Sequence, residues 1–280
     1  MPSRPDHADP ADACDLSRRI SHVDAITVTA NNGADLQRLL TCERVRESFD
    51  RLIVVDNHSS DGSPEMARDA GATVISLQRR EGYGHCVNVG VELSTGSRFA
   101  VLNPDIWFDD DDVIQQLQNQ LDLPGVALAA PALVLPDGRL QDSARHFPTP
   151  LDLVLRRALG LELGAIRVSG EVPWVVGACF IARRDAWESI GGFDERYFLY
   201  FEDVDLCWRL REAGWTVRLD GDVQVQHRHG GASRRSVLGW ATRQHLASAA
   251  RFYRANPRSL LSRTLPEPTR WHGPLVGERE

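Results

Sequence analysis

The chain has 280 residues, 42% of them hydrophobic and 25% charged, with a formal net charge of −7. That composition is ordinary for a folded globular protein, and the length suits one large α/β domain or two small ones. An acidic balance with no basic stripe argues against a nucleic-acid partner. Cys14, Cys42, Cys86, Cys179 and Cys207 are scattered, odd in number and without zinc spacing, so neither a disulfide framework nor a zinc site is expected.

Residues 1–22 are rich in Asp, Pro and Ala and read as a disordered leader with no signal-peptide core. Ala25 to Thr29 is β-branched and predicts a strand ending at Asn31-Asn32-Gly33. Asp35 to Arg46 predicts one helix. Arg51 to Val55 is a continuously apolar strand of the kind covered on both faces. A polar loop, Asp56 to Ser63, follows, then a helix from Pro64 to Ala70 and a strand from Thr73 to Leu77. Glu81 to His85 reads as a loop, Cys86 to Leu93 as a helix, and Arg98 to Leu102 as a fourth strand stopping at Asn103-Pro104-Asp105. Four strands alternating with helices imply a mostly parallel, right-handed sheet, with ligands at the carboxyl ends of its strands. Polar clusters fall at those ends, after the first, second and fourth strands. Neither GxGxxG after the first strand nor GxxxxGK[ST] occurs, which disfavours a dinucleotide dehydrogenase and a P-loop enzyme.

Beyond Asp105 the expectations are an acidic-capped helix from Asp109 to Leu121, a strand from Val126 to Leu135, and a hairpin turn at Pro136 to Arg139. A helix from Leu151 to Leu163 and one buried strand from Trp174 to Ala182 follow. After two short strands, Trp215 to Leu219 and Val223 to Gln226, comes a helix from Val237 to Tyr253, amphipathic through Leu238, Ala241, Leu246, Ala249, Ala250 and Phe252. Residues 255–280 read as a flexible tail. The four aspartates Asp109 to Asp112 are expected to be solvated. His58, His85, His146, His245 and His272 are assigned to surface or packing, and Trp187, Trp208, Trp215 and Trp240 to the core.

Gly191 to Arg209 is the most informative stretch. Two glycines and an aromatic run lead to Glu202, Asp203 and Asp205 at a predicted helix start, with Gly214 at its end. Glu202 and Asp205 suit a helix N-terminus, and Asp205 can pair with Arg209 one turn on. Asp203 precedes Leu206 and Cys207 by three and four residues and shares their inward face. An inward carboxylate is costly unless it meets a cation, a metal or a ligand hydroxyl.

Read together, Val54-Val55-Asp56-Asn57 with Ser60-Asp61-Gly62, Gly82-Tyr83-Gly84 with Asn88 and Gly90, Leu102-Asn103-Pro104-Asp105, Trp174 to Phe180, Gly191-Gly192-Phe193-Asp194-Glu195, Glu202-Asp203-Val204-Asp205-Leu206 and His227 closely resemble family 2 glycosyltransferases. These are inverting enzymes of the GT-A fold. The resemblance covers about residues 24 to 254 and is nearest to bacterial rhamnosyltransferases, in which Asn-Pro-Asp and a segment like Ser143 to Pro148 recur. It implies an α/β nucleotide-diphospho-sugar transferase fold, a mostly parallel central sheet flanked by helices. Residues 23–105 would form a nucleotide-binding half and 106–254 an acceptor and catalytic half.

The resemblance further implies that Asp203 is the catalytic base, kept ionised by the helix dipole, with Glu202 positioning it or the acceptor. Asp105 and His227 would hold Mg²⁺ or Mn²⁺, His229 being an alternative to His227. Thr27, Thr29, Asp56, Asn57, Asp61, Gly82, Asn103, Trp174 and Gly177 would line the donor site. Asp56 reads the base, and Asn103 replaces the first acidic residue of the metal motif. Ala30 stands where the family has an aromatic residue. The implied reaction moves a sugar, with dTDP-L-rhamnose the favoured donor, onto a lipid-linked or cell-surface glycan. The expected place is the cytoplasm, with peripheral contact at the inner face of the plasma membrane through Arg156, Arg157, Arg234, Arg235 and the Arg-bearing tail. A sugar-1-phosphate nucleotidyltransferase and a non-catalytic nucleotide-sugar binder are the rival readings.

Overall fold

β1 (Val23–Thr29) is buried along its whole length and is the strand against which the first half of the chain is wound. The computed structural model describes residues 22–159, 164–228 and 239–260. Residues 1–21 of the leader, residues 261–280 of the tail, His229, Arg234 and Arg235 lie outside the described residues, as do Val237 and Leu238. After β1 come α1 (Gly33–Thr41), α2 (Glu43–Ser48), β2 (Arg51–Asp56), α3 (Ser63–Asp69), β3 (Thr73–Ser76), α4 (Tyr83–Leu93), β4 (Arg98–Leu102) and β5 (Ile106–Trp107). The second half comprises α5 (Val113–Leu121), β6 (Val126–Val134), β7 (Ala144–Arg145), α6 (Pro150–Leu159), β8 (Ala165–Ile166), β9 (Gly170–Glu171), β10 (Trp174–Val175), β11 (Cys179–Arg183), α7 (Arg184–Ser189), α8 (Glu202–Glu212), β12 (Thr216–His227) and α9 (Trp240–Ala255).

The main sheet has nine strands in the order β3-β2-β1-β4-β11-β6-β12-β5, with β9 on β12. β1, β2, β3, β4, β6 and β12 run one way, and β5, β9 and β11 run against them. The sheet is therefore mostly parallel, with helices over its faces, and it passes without a break through both halves of the chain. A second sheet, β10-β7-β8, has three short strands. Gly90 lets α4 sit close on the first sheet, since a Cβ there would come within 2.4 Å of Ile26.

Several elements differ from expectation, each for a local reason. The helix expected from Asp35 to Arg46 is two, because Cys42 turns extended (φ −71°, ψ 107°). On one straight helix Val45 would face away from Leu36; the break returns Val45 to the core. α5 begins at Val113, not Asp109: the four aspartates are exposed, and Asp112 makes no side-chain cap bond. α4 starts three residues early, at Tyr83.

The buried strand expected from Trp174 to Ala182 is divided between the two sheets, with Gly177 in the gap. The two short strands near the C-terminus are one, β12, whose pairing with β6 slips between Asp220 and Gln224 as at a β-bulge. Trp187, Trp208 and Trp215 are core residues as expected, but Trp240 and Leu246 are 56% and 58% exposed. α9 buries Thr242, Ser248, Ala249 and Phe252 instead.

Candidate active site

β1 and β2 pair in parallel so that Thr29 lies beside Asp56 at their carboxyl ends. Asp56 is buried, and its Oδ1 accepts the Ser59 N–H at 3.1 Å. The Asn57 amide forms a two-point clamp, donating to the Glu81 carbonyl (2.9 Å) and accepting the Glu81 N–H (2.8 Å). It thereby fixes the segment leading to Gly82 against the end of β2. Asp61 accepts the Gly33 N–H at 2.9 Å and the Ser63 hydroxyl at 2.6 Å, tying together the starts of α1 and α3. The Ser63 bond is the largest cause holding its carboxyl below the usual range. The Thr29 hydroxyl donates to Asn32 Oδ1 at 2.7 Å. Thr27 is fully buried two residues inside the strand, its hydroxyl without a hydrogen-bond partner.

The end of β4 brings in the second group. The Asn103 N–H donates to the Ala178 carbonyl (2.7 Å), anchoring the turn that presents Asp105. β5 then pairs with β12 so that His227 lies opposite Ile106. This register places His227 Nε2 3.3 Å from Asp105 Oδ1, although the residues are far apart in sequence. The Gln141 Oε1 meets His227 Nδ1 at 2.7 Å. Gln141 is itself fixed at the hairpin base, where its N–H donates to the Leu133 carbonyl. With an amide oxygen on Nδ1, that nitrogen is the donor to Gln141 and Nε2 is turned toward Asp105. Metal-ligating imidazoles are oriented in this way. Among the described residues no group of three or more His, Cys, Asp or Glu is placed to hold a metal. Asp105 and His227 are thus a two-donor set, and a carboxylate with an imidazole fits Mg²⁺ or Mn²⁺ only if ligand oxygens or water complete the shell.

The third group stands at the start of α8. Tyr200 and Phe201 both have left-handed backbones (φ 67° and 68°), a conformation that costs a bulky residue free energy. Phe201 is held there by Phe252, Tyr253 and His245 of α9, at ring-centroid distances of 5.5, 6.1 and 5.3 Å. The chain therefore enters α8 abruptly, with Glu202 buried and Asp203 only partly exposed. Asp203 Oδ2 accepts the Gly177 N–H at 3.1 Å and Oδ1 accepts the Val204 N–H at 2.8 Å. Glu202 Oε2 is buried without a partner.

At Asp203 burial works against the anion expected at a helix start, although a carboxyl pushed up to about 6 is still mostly ionised at neutral pH. Burial pushes its carboxyl above the usual range, and the bonds from Gly177 and Val204 offset that only in part. Glu202 is also pushed up, first by burial and then by the charge of Asp203. Glu202, assigned above to a simple helix start, is the more deeply buried of the two. Asp205 does pair with Arg209, at 2.6 Å, and the Arg209 guanidinium also donates to the Ile190 and Gly192 carbonyls.

Tyr83 joins these groups from within a stretch whose sequence predicts only a glycine loop. Its hydroxyl lies 3.1 Å from Asn103 Oδ1 and 3.0 Å from the Gly177 carbonyl. Gly82 makes the approach possible: a Cβ there would come within 2.6 Å of the Tyr197 carbonyl, and the next N–H donates to the Phe198 carbonyl. Burial raises the Tyr83 phenol well above its usual value, with Glu202, Asp203 and Asp105 adding to the effect. Trp174 is buried, its indole N–H donating to the His146 carbonyl at 2.9 Å, with the Arg145 guanidinium over the ring. Asn88 holds Phe193 through both its N–H and its carbonyl, and His85 pairs with Glu195 at 2.9 Å instead of standing alone. A glycine on each side of Tyr83 was the available signal for its close packing; nothing local signals Gln141.

Comparison with known proteins gives the family and the fold. The model of the family described as glycosyl transferase family 2 matches residues 24–191. The N-acetylglucosaminyl-diphospho-decaprenol L-rhamnosyltransferase of Mycobacterium tuberculosis is 29% identical over 232 residues, covering 72% of this chain and 74% of that protein. Rhamnosyltransferase WbbL of Escherichia coli is 29% identical over 243 residues, 81% of this chain and 90% of that one. Among solved structures, a mannosyltransferase of Pyrobaculum calidifontis in complex with GDP-Man and Mn²⁺ superposes with a TM-score of 0.56 at 18% identity, covering 86% of this chain and 72% of its own. That likeness shows the fold, GT-A.

Proposed function

We propose, from the premise that this chain belongs to glycosyl transferase family 2 and is a transferase, that it moves L-rhamnose from dTDP-L-rhamnose onto a lipid-linked glycan with inversion. The donor and acceptor are inferred from rhamnosyltransferase relatives, one of which is named for a diphospho-decaprenol acceptor. The observation that carries the reading is the meeting of two carboxylate sites around Tyr83: Asp105 with His227 on one side, Asp203 on the other. One suits a cation and a diphosphate, the other an acceptor hydroxyl.

In the proposed reaction residues 23–105 hold the nucleotide, with Asp56 at the base and Thr29 and Asn57 at the ends of β1 and β2. Asn103 lies toward the diphosphate, and Gly82, Trp174 and Gly177 bound the sugar pocket. Residues 106–254 hold the acceptor. Asp105 and His227 would bind a divalent cation, which when present neutralises charge on the departing nucleoside diphosphate. Asp203 takes the proton of the acceptor hydroxyl. The new bond forms between that oxygen and C1 of the sugar as the bond from C1 to the phosphate oxygen breaks, so one displacement inverts C1. A carboxylate raised by burial is a stronger base in its ionised form, and such assistance is worth about 10²–10⁴-fold.

A lipid-linked acceptor also calls for contact with a membrane surface. No helix among the described residues is long and apolar enough to cross a membrane. The outer face of α9, however, combines exposed Trp240 and Leu246 with exposed Arg243, Arg251 and Arg254, and residues 240–260 contain no acidic side chain in a chain of net charge −7. Its inner face packs on the aromatic segment that leads to Glu202 and Asp203. An anionic bilayer seated on this face fits its charge and places the acceptor end of a lipid beside the proposed base.

The test is thermal stabilisation by nucleotide sugars with and without Mn²⁺. A ligand at a hundred times its Kd stabilises by about 2.7 kcal/mol. A Mn²⁺-dependent shift with dTDP-L-rhamnose above UDP- and GDP-sugars is expected. A cooperative melt that no nucleotide sugar moves contradicts the reading.

A further inference from the structure

We infer that Tyr83 is a positioning residue that couples the cation-binding loop to the general base. The inference rests on the roles proposed above for Asp105 and Asp203 and goes beyond them. A buried phenol needs one acceptor to be satisfied. This one lies within hydrogen-bond reach of two, on segments remote from each other in sequence. Asn103 Oδ1, at 3.1 Å, belongs to the turn that ends in Asp105. The Gly177 carbonyl, at 3.0 Å, belongs to the residue whose N–H holds Asp203 Oδ2. Its single O–H is shared between the two acceptors, so the hydroxyl bridges the backbone under the base and the side chain beside the cation site.

The phenol is itself placed by more than its ring. Its N–H donates to the Phe198 carbonyl at 3.0 Å, and its ring meets Phe193 edge-on at 6.2 Å. Both contacts belong to the aromatic segment that enters α8. Tyr83 thus touches the three segments that must keep register during transfer: the Asn103 turn, the Gly177 gap and the approach to Asp203. Burial and the surrounding carboxylates keep the phenol neutral, which is the form that donates.

Tyr83→Phe tests the coupling, because it removes the hydroxyl and leaves the ring packing. The expected result is a folded protein whose donor KM and Mn²⁺-dependent stabilisation by dTDP-L-rhamnose are unchanged within about twofold, while kcat falls about tenfold or more, as misplaced reacting groups cause. The acid limb of the kcat profile should also move to higher pH. A loosened Gly177 N–H supports the Asp203 anion less, and the other groups near it, Glu202, Tyr83 and Cys207, supply no cation in its place. Unchanged kcat and pH profile overturn the inference. So does a loss of donor binding and melting temperature with kcat per bound enzyme preserved, which would make Tyr83 a plain packing residue. Asp203→Asn, assayed alongside, separates the two claims: if it retains turnover, the base assignment fails, whatever Tyr83→Phe does.

Discussion

The Gly177 N–H donates to Asp203 Oδ2 at 3.1 Å, and a Cβ built on Gly177 would lie 3.3 Å from the Asp203 Cβ. The pair joins the break between β10 and β11 to the first turn of α8. Gly177→Ala should therefore push the Asp203 side chain aside without opening the core. We expect kcat to drop about tenfold or more, with the melting temperature within a few degrees of wild type. Wild-type kcat in the alanine variant would show that the spacing is not used.

Glu202 is costly where it stands. It is buried, Oε2 has no partner, and its carboxyl is raised by burial and by Asp203. The folded state therefore binds a proton more tightly than the unfolded chain. Its stability falls as pH rises from the unfolded carboxyl range toward the raised folded value. Glu202→Gln mimics the protonated form. It should raise the melting temperature at pH 7.5 and change it little near pH 4, measured by calorimetry across that range. An equal effect at both pH values would contradict the assignment. The raised Asp203 carboxyl gives the companion expectation: the acid limb of kcat lies above the ordinary aspartate range near 3.9.

Gln141 acts on His227 from behind, at 2.7 Å from Nδ1. Removing such an orienting partner commonly costs 10–100-fold in metal affinity. For Gln141→Ala we expect the Mn²⁺ concentration for half-maximal activity to rise by about that factor, with kcat recovered at saturating Mn²⁺. A loss of kcat that Mn²⁺ does not recover would place Gln141 in a different role.

The exposed face of α9 predicts binding to vesicles without any substrate. The chain should float with vesicles rich in phosphatidylglycerol and not with phosphatidylcholine alone, less so at high salt. Trp240→Ser with Arg243→Glu and Arg254→Glu should abolish flotation. Transfer to a short, water-soluble acceptor should persist. Absence of flotation, or flotation that the substitutions leave unchanged, contradicts a bilayer as the partner; a concentration-dependent dimer lost in the same variant points to a second copy.

The parallel half of the fold was legible because its strands are short apolar runs ending in polar clusters, and those periodicities are local. Asp105, His227 and Asp203 could be named from motif resemblance. Their meeting depends on β5 pairing with β12 and on a strand divided at Gly177, and neither is written in local pattern. Gln141 and Tyr83 act through contacts made far away in sequence; the glycines flanking Tyr83 signal its close packing but not its partners, and nothing local signals Gln141. The upward shift of the Asp203 carboxyl was not legible for the same reason. A helix start favours the anion, but burial depends on Glu202, Tyr83 and the strand around Gly177, and burial is the larger effect.

The most direct measurement is sugar transfer from dTDP-L-rhamnose by wild type and Asp203→Asn, with donor binding measured on the same samples in Mn²⁺. The account predicts that the variant binds donor with wild-type affinity and loses about 10²–10⁴-fold in turnover. An Asp203→Asn enzyme that keeps most of its turnover would contradict it and move the base elsewhere in the site.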